Sequence, residues 1–400
     1  MNQKQLLGLI VAGLILGGVG YALYNKQKGG WQAAPKGSAA KLLGEFPIND
    51  VEQITVREAT NTLTIVRSEG GWTVKERGGY TANFDEVHRV LTKVWELKPV
   101  QELKVGQSHL SRLNLQEPGK GDKTGTLLEF KAKDGKTHAL LLGKEYSRES
   151  AASGPFGGGA MPSGRYVMVP GKIETVSLVS ETFNHVDTHA DHWLDKTFIK
   201  VERIKSIAYT PPEATNAWKV TRESESGEWK LADAKDAEKL DTAKVSGFNY
   251  LLSSPSFNDI AAPDAKPETT GMDKPAVATL ETFDGFTYTL KIGKGPDDNT
   301  LHLAVNVTAA IPQQREAKPE EKDVDKQVLD KEFKEKKEKL EKKLADEQKL
   351  SKWTYLVTKW TVDQLMKDRK ELLAEEKKEE TPAAPPIPFV QPPDGKKEGN

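Results

Sequence analysis

The chain has 400 residues, 58 of them Lys or Arg and 59 Asp or Glu; the resulting net charge of −1 gives no electrostatic reason to expect nucleic acid as a partner. With 36% hydrophobic and 29% charged residues, two or three domains are allowed only if part of the chain stays outside the cores. Cysteine is absent, which excludes disulfides, a thiolate nucleophile and any Cys-ligated zinc or iron–sulfur centre.

Residues 1–5 read as a short cytoplasmic tail. Residues 6–24 carry no charge. As a helix they would be roughly 28 Å long, close to the hydrocarbon thickness of a bilayer. Tyr21 and Tyr24 stand at one end, as in an interfacial belt. The expectation is a single-pass signal anchor with the bulk of the chain outside the cytoplasm; a cleaved signal peptide is the competing reading. Gly8-x-x-x-Ala12 and Gly13-x-x-x-Gly17 offer small faces for self-association in the membrane, or reflect only the glycine content of membrane helices. Residues 25–44 read as a flexible tether.

The middle of the chain repeats itself over 51–200 and 201–373. Gln53-Ile-Thr-Val56 matches Ile204-Lys-Ser-Ile-Ala208, and the Trp strand Gly70-Gly-Trp72-Thr-Val74 matches Gly227-Glu-Trp229-Lys-Leu231. A helix pattern follows in each, Asp85-Glu-Val-His-Arg-Val-Leu91 and Asp241-Thr-Ala-Lys-Val-Ser-Gly247. Two strands then close on a glycine: Leu127-Leu-Glu-Phe130 with Leu140-Leu-Leu-Gly143, and Ala278-Thr-Leu-Glu-Thr282 with Leu290-Lys-Ile-Gly293. The last pieces align Arg165-Tyr-Val-Met-Val169 and Thr175-Val-Ser-Leu178 with Trp353-Thr-Tyr-Leu-Val357 and Thr361-Val-Asp-Gln-Leu365. A unit this long exceeds a solenoid repeat. The fold class expected is α+β: two tandem related domains, 45–200 and 201–374, with mainly antiparallel sheets behind one N-terminal transmembrane helix. The matched Trp72 and Trp229 read as core, and Trp193 and Trp360 as packed at the domain junction or cap.

Each repeat carries an insertion, the second expected at the place corresponding to the first. The glycine-rich segment 147–164 lacks Gly-Lys-[Ser/Thr] and reads as a hairpin loop before a phosphate cradle. Residues 313–352 are almost wholly charged, with Glu332/Lys336, Glu335/Lys339 and Glu338/Lys342 at i,i+4 and a thin stripe of Val324, Val328, Phe333, Leu340 and Leu344. They read as a solvated, coiled-coil-like helix or helical hairpin, serving as a partner-binding or self-association arm or as a charged spacer. Residues 375–400 are Glu/Lys-rich, then Pro-rich, and read as a disordered tail.

One cluster points to chemistry. In Asn184-His185-Val-Asp187-Thr-His189-Ala-Asp191-His192, helical spacing would put His185, His189 and His192 on one face. Three imidazoles there would hold a divalent metal such as zinc, with Asp187 and Asp191 off the stripe; the alternative is an exposed His-rich helix end and no cofactor. Neither a Ser-His-Asp order, a nucleophile elbow, His-Glu-x-x-His nor a dinucleotide fingerprint is present.

Glu69-Gly-Gly-Trp-Thr-Val74, Leu140-Leu-Leu-Gly-Lys144, Asp195-Lys-Thr-Phe198, Gly227-Glu-Trp-Lys-Leu231 and Leu290-Lys-Ile-Gly-Lys294, in their order across 42–373, resemble the DUF4340 family. These are structural punctuation and not catalytic motifs. The resemblance implies a bacterial inner-membrane protein accompanying ABC transporter permease or auxiliary subunits of the gliding-motility type. The expectation is therefore a non-enzymatic accessory or scaffold protein of an envelope complex. Its rivals are a metal-dependent envelope enzyme using His185, His189 and His192, and an extracytoplasmic ligand-binding module.

Overall fold

The computed structural model describes residues 40–147, 162–172, 175–235, 238–316 and 322–374. The membrane-anchor segment 6–24, most of the glycine-rich loop and the tail 375–400 lie outside the described residues. Among the described residues no helix is long and apolar enough to cross a membrane.

Two mainly antiparallel sheets and a few helices make an α+β fold. The first sheet contains β1 (Val51–Arg57), β2 (Thr62–Ser68), β3 (Gly71–Val74), β4 (Tyr80–Thr81), β5 (Gln101–Lys104), β6 (Thr126–Ala132), β7 (Thr137–Ser147), β8 (Pro162–Met168) and β9 (Thr175–Val179). The second contains β10 (Ile204–Thr210), β11 (Trp218–Thr221), β12 (Lys230–Leu231), β13 (Asp259–Ile260), β14 (Ala276–Thr282), β15 (Phe286–Ile292), β16 (Thr300–Ala309) and β17 (Thr354–Thr358). Their orders are β4-β3-β2-β1-β6-β7-β8-β9-β5 and β12-β11-β10-β14-β15-β16-β17-β13. Read from the centre outward, the two orders superimpose, with β4 the one strand lacking a counterpart. Even the irregularity recurs: the register slips between Val51 and Gln53 where β1 meets β6, and between Ile204 and Ser206 where β10 meets β14.

The repeated sequence features have repeated causes. The central hairpins both turn on Asp-Gly, at Asp134-Gly135 and Asp284-Gly285, whose glycines adopt φ of 80° and 82°. Gly293 follows the end of β15 as expected, whereas Gly143 lies within β7, which runs on to Ser147; both sit beneath a crossing chain. A Cβ on Gly143 would lie 2.4 Å from the Leu113 carbonyl oxygen, and one on Gly293 would lie 2.1 Å from that of Thr270. Helix α1 (Phe84–Glu96) starts where the Asn83 side chain accepts a hydrogen bond from the Glu86 amide. It buries Val87, Val90, Leu91 and Val94, one face at helical spacing. The chain then turns to Pro99, which disfavours further helix.

Two expectations need correction. The strand equivalent to β8 is β16, and β9 pairs off with β17, so the match of 165–169 to 353–357 was one strand out of step. The charged insertion therefore does not correspond to the glycine-rich loop: one joins β16 to β17, the other β7 to β8. The insertion is also not freely projecting along its length. It forms one helix, α2 (Asp323–Gln348), whose last turns lie on the second sheet. There Leu340 and Leu344 pack on the core, and the buried Glu347 carboxylate accepts from the Tyr288 hydroxyl at 2.8 Å and the Lys200 amide at 2.9 Å. Residues 325–332 are exposed. Within α2, ion pairs form at Lys331–Glu335, Lys337–Glu341 and Lys343–Glu347, while Lys336 turns to Asp284 at 2.9 Å.

A contiguous cluster of buried apolar side chains runs from Phe46 to Leu372 and joins the halves. The turn before β4 forms the seam. Arg77 forks onto both carboxylate oxygens of Asp259 at 2.7 Å each, which raises its pKa. Tyr80 meets Trp353 edge-on at 4.8 Å, and Phe198 lies 4.6 Å from Tyr355. Trp72, Trp229 and Trp193 are buried, as expected. Trp360 is not: it is 68% exposed, on the turn after β17. A second, smaller cluster, including Leu103, Leu113, Leu141 and Val176, covers the reverse face of the first sheet.

Candidate metal centre

The histidine cluster lies on the segment that leaves β9 and leads to the second half. Four contacts set its path. The half-buried guanidinium of Arg165, its pKa lowered by that burial, donates to the carbonyls of Gly143 at 2.8 Å, Thr182 at 3.0 Å and Phe183 at 3.2 Å. Phe183 takes a left-handed φ of 53° and is buried. The Thr188 hydroxyl donates to Glu58 at 2.6 Å. The indole of the fully buried Trp193 donates to the Asp187 carbonyl at 3.0 Å.

These contacts overturn the helical reading of the cluster. Helix is confined to Ala190–Trp193, so His185, His189 and His192 do not share a helical stripe. The cause is local. Asp187 accepts the His189 amide on its own side chain at 2.9 Å, an Asx turn that competes with helical hydrogen bonding. His185 instead lines a hollow of about 270 Å³ with Arg89, Lys93 and Glu181, between α1 and the loop.

The residues brought together are Asp187, His189 and His192, whose ligating atoms all lie within 4.8 Å of one another. Asp187, placed off the stripe by helical spacing, is the hub. His192 Nδ1 is 2.9 Å from Asp187 Oδ2, and His189 Nδ1 is 3.3 Å from Asp187 Oδ1. The two rings are 5.6 Å apart, and His192 Nε2 is 3.8 Å from Asp191. The side chains of Asp187, His189 and His192 are 21%, 71% and 46% exposed. The sequence signal for Asp187, missed by helical periodicity, is the Asp-x-His spacing of an Asx turn.

The second half contains the equivalent of this segment. Ala82 bridges Leu194 as Leu240 bridges Leu373. The Asn83 and Asp241 amides donate to the carbonyls of Trp193 and Leu372 at 2.7 and 2.9 Å. The four-residue helix Ala190–Trp193 thus matches Arg369–Leu372. In the second half the residue before the helix is Asp368 and its third residue is Glu371, and the two form a capping box. In the first half those places hold His189 and His192, and His189 makes no side-chain cap.

A family model described as Domain of unknown function (DUF4340) matches residues 72–275, just over half of the chain. No curated protein and no solved structure matches it.

Proposed function

The chain belongs to the DUF4340 family, and from that premise we propose that it is a non-enzymatic accessory or scaffold subunit of an ABC-type complex in the bacterial envelope. It would be held by the anchor at 6–24, with the two-sheet body outside the cytoplasm. The observation that carries this reading is the division of labour between α2 and the body. The two sheets share one continuous core, and the C-terminal turns of α2 pack on it. The N-terminal turns, residues 325–332, present charge to solvent. A rigid body carrying an exposed charged helix suits contact with other subunits more than enclosure of a substrate. The ABC-type partner comes from the family resemblance, by analogy alone.

Affinity purification of the full chain from detergent-solubilised membranes of its own cells tests the proposal. Transporter permease or auxiliary subunits should co-purify and be lost when residues 323–335 are replaced by a short Gly/Ser linker. Recovery of the protein alone would remove the reading.

A further inference from the structure

We propose that Asp187, His189 and His192 form a zinc-binding site on the segment joining the two halves, a site in which His185 takes no part. A tetrahedral zinc ion with bonds of about 2.0–2.1 Å to nitrogen and oxygen has donor–donor edges of about 3.3–3.4 Å. Two of the three edges are already near that length and meet at one oxygen: Asp187 Oδ1 is 3.1 Å from His192 Nδ1 and 3.3 Å from His189 Nδ1. The third, between the imidazoles, is at most 4.8 Å. Both rings are largely exposed, so small χ rotations close it without displacing a packed neighbour. The hub is held before any ion arrives, because the Trp193 indole and the His189 amide fix Asp187 through its carbonyl and one carboxylate oxygen. Two imidazoles and one carboxylate suit zinc over magnesium or calcium, which favour all-oxygen shells. The fourth position opens to solvent.

The comparison of the halves supports this independently. The residue preceding the short helix and its third residue are Asp368 and Glu371 in the second half, where both side chains cap the helix. In the first half the same backbone places carry imidazoles that leave the helix uncapped and turn to a third ligating group. The two positions have exchanged a structural task for convergence on Asp187.

The test is zinc binding to the full chain, purified in detergent with a tag free of histidine, measured by competition with a chromogenic chelator. One zinc per chain is expected, undiminished by excess magnesium. Loss of an outer-shell partner of a metal ligand typically costs 10–100-fold in affinity, so His189→Ala and His192→Ala, which remove ligands themselves, should each weaken binding on the order of 100-fold or more. His185→Ala should leave it unchanged. The double variant His189→Asp/His192→Glu installs the second half's capping pair. It should melt no lower than the parent and yet lose the zinc, separating ligation from folding. The proposal is overturned if His185→Ala weakens binding as much as His189→Ala, or if the parent binds zinc no better than the double variant.

Discussion

The two short closing helices, Ala190–Trp193 and Arg369–Leu372, are the same backbone device put to different uses. Each ends a half by pairing its last residues against the segment that feeds a helix start, Asn83 or Asp241. Each buries one anchor completely, Trp193 in the first half and Leu372 in the second. The exposed places differ freely, as the imidazole pair and the capping box show. Burial holds the closure constant, whereas solvent-facing positions on it can be reassigned at little cost to folding.

The strongest way to break that comparison is to remove the anchors. Trp193→Ala opens a large cavity and frees the Asp187 carbonyl, and should cost about 3–5 kcal/mol; Leu372→Ala should cost about 2–5 kcal/mol. Chemical denaturation should show both variants lowering one shared transition. Two separate transitions would contradict a continuous core. Next come the matched glycines: Gly143→Ala and Gly293→Ala each force a methyl against a carbonyl oxygen, and should each lose about 1–3 kcal/mol in the same assay. A tolerated Gly293→Ala would mean that the crossing at Thr270 is looser than its counterpart at Leu113.

Smaller effects sharpen the differences. Arg77→Ala removes the ion pair across the seam and should cost about 1–2 kcal/mol, with reduced cooperativity between the halves as the sign that it acts there. In metal-free buffer Asp368→Ala should cost about 1 kcal/mol as a lost cap, and His189→Ala within about 0.5 kcal/mol. Equal costs would show that the two positions do the same job. The smallest effect is a pH dependence at Glu238 in the second half. Hydrogen bonds from Arg369 and the Lys235 amide hold Glu238 down to about 2 from an ordinary 4.5. A folded-state pKa below the unfolded value gives stability that is present above pH 4.5 and lost as pH falls through about 2. The urea midpoint of the parent should therefore fall toward that of Glu238→Gln across this window.

Much of the scaffold was legible in the sequence. Strand alternation, the Trp strands, the Asp85 helix and the glycines at 143 and 293 were all readable, because turn chemistry and close approach leave little choice of residue. The order of the last strands was not. β16 and β17 are separated by the charged insertion, so 353–357 was matched to 165–169 on local composition while Thr300–Ala309 went without a partner. The geometry of the polar cluster was half legible. His189 and His192 were expected together and do lie together, but Asp187 was set off the stripe and His185 placed on it, because periodicity assumes a helix. The Asp187 side chain turns the stretch locally, and contacts from the nearby Trp193 and from Arg165 and Glu58, distant in sequence, hold it there.

The grip of α2 on Lys200 has a mechanical reading. The Lys200 amide donates to Glu347, and its carbonyl accepts from Lys343 at 2.5 Å and from the Tyr288 hydroxyl at 3.3 Å. Both polar groups of one linker peptide are thus tied to the base of a lever. Its exposed part, around Val328, stands about 29 Å along the axis from Glu347. Any tilt of that arm is therefore delivered first to Lys200, on the segment that joins the two sheets.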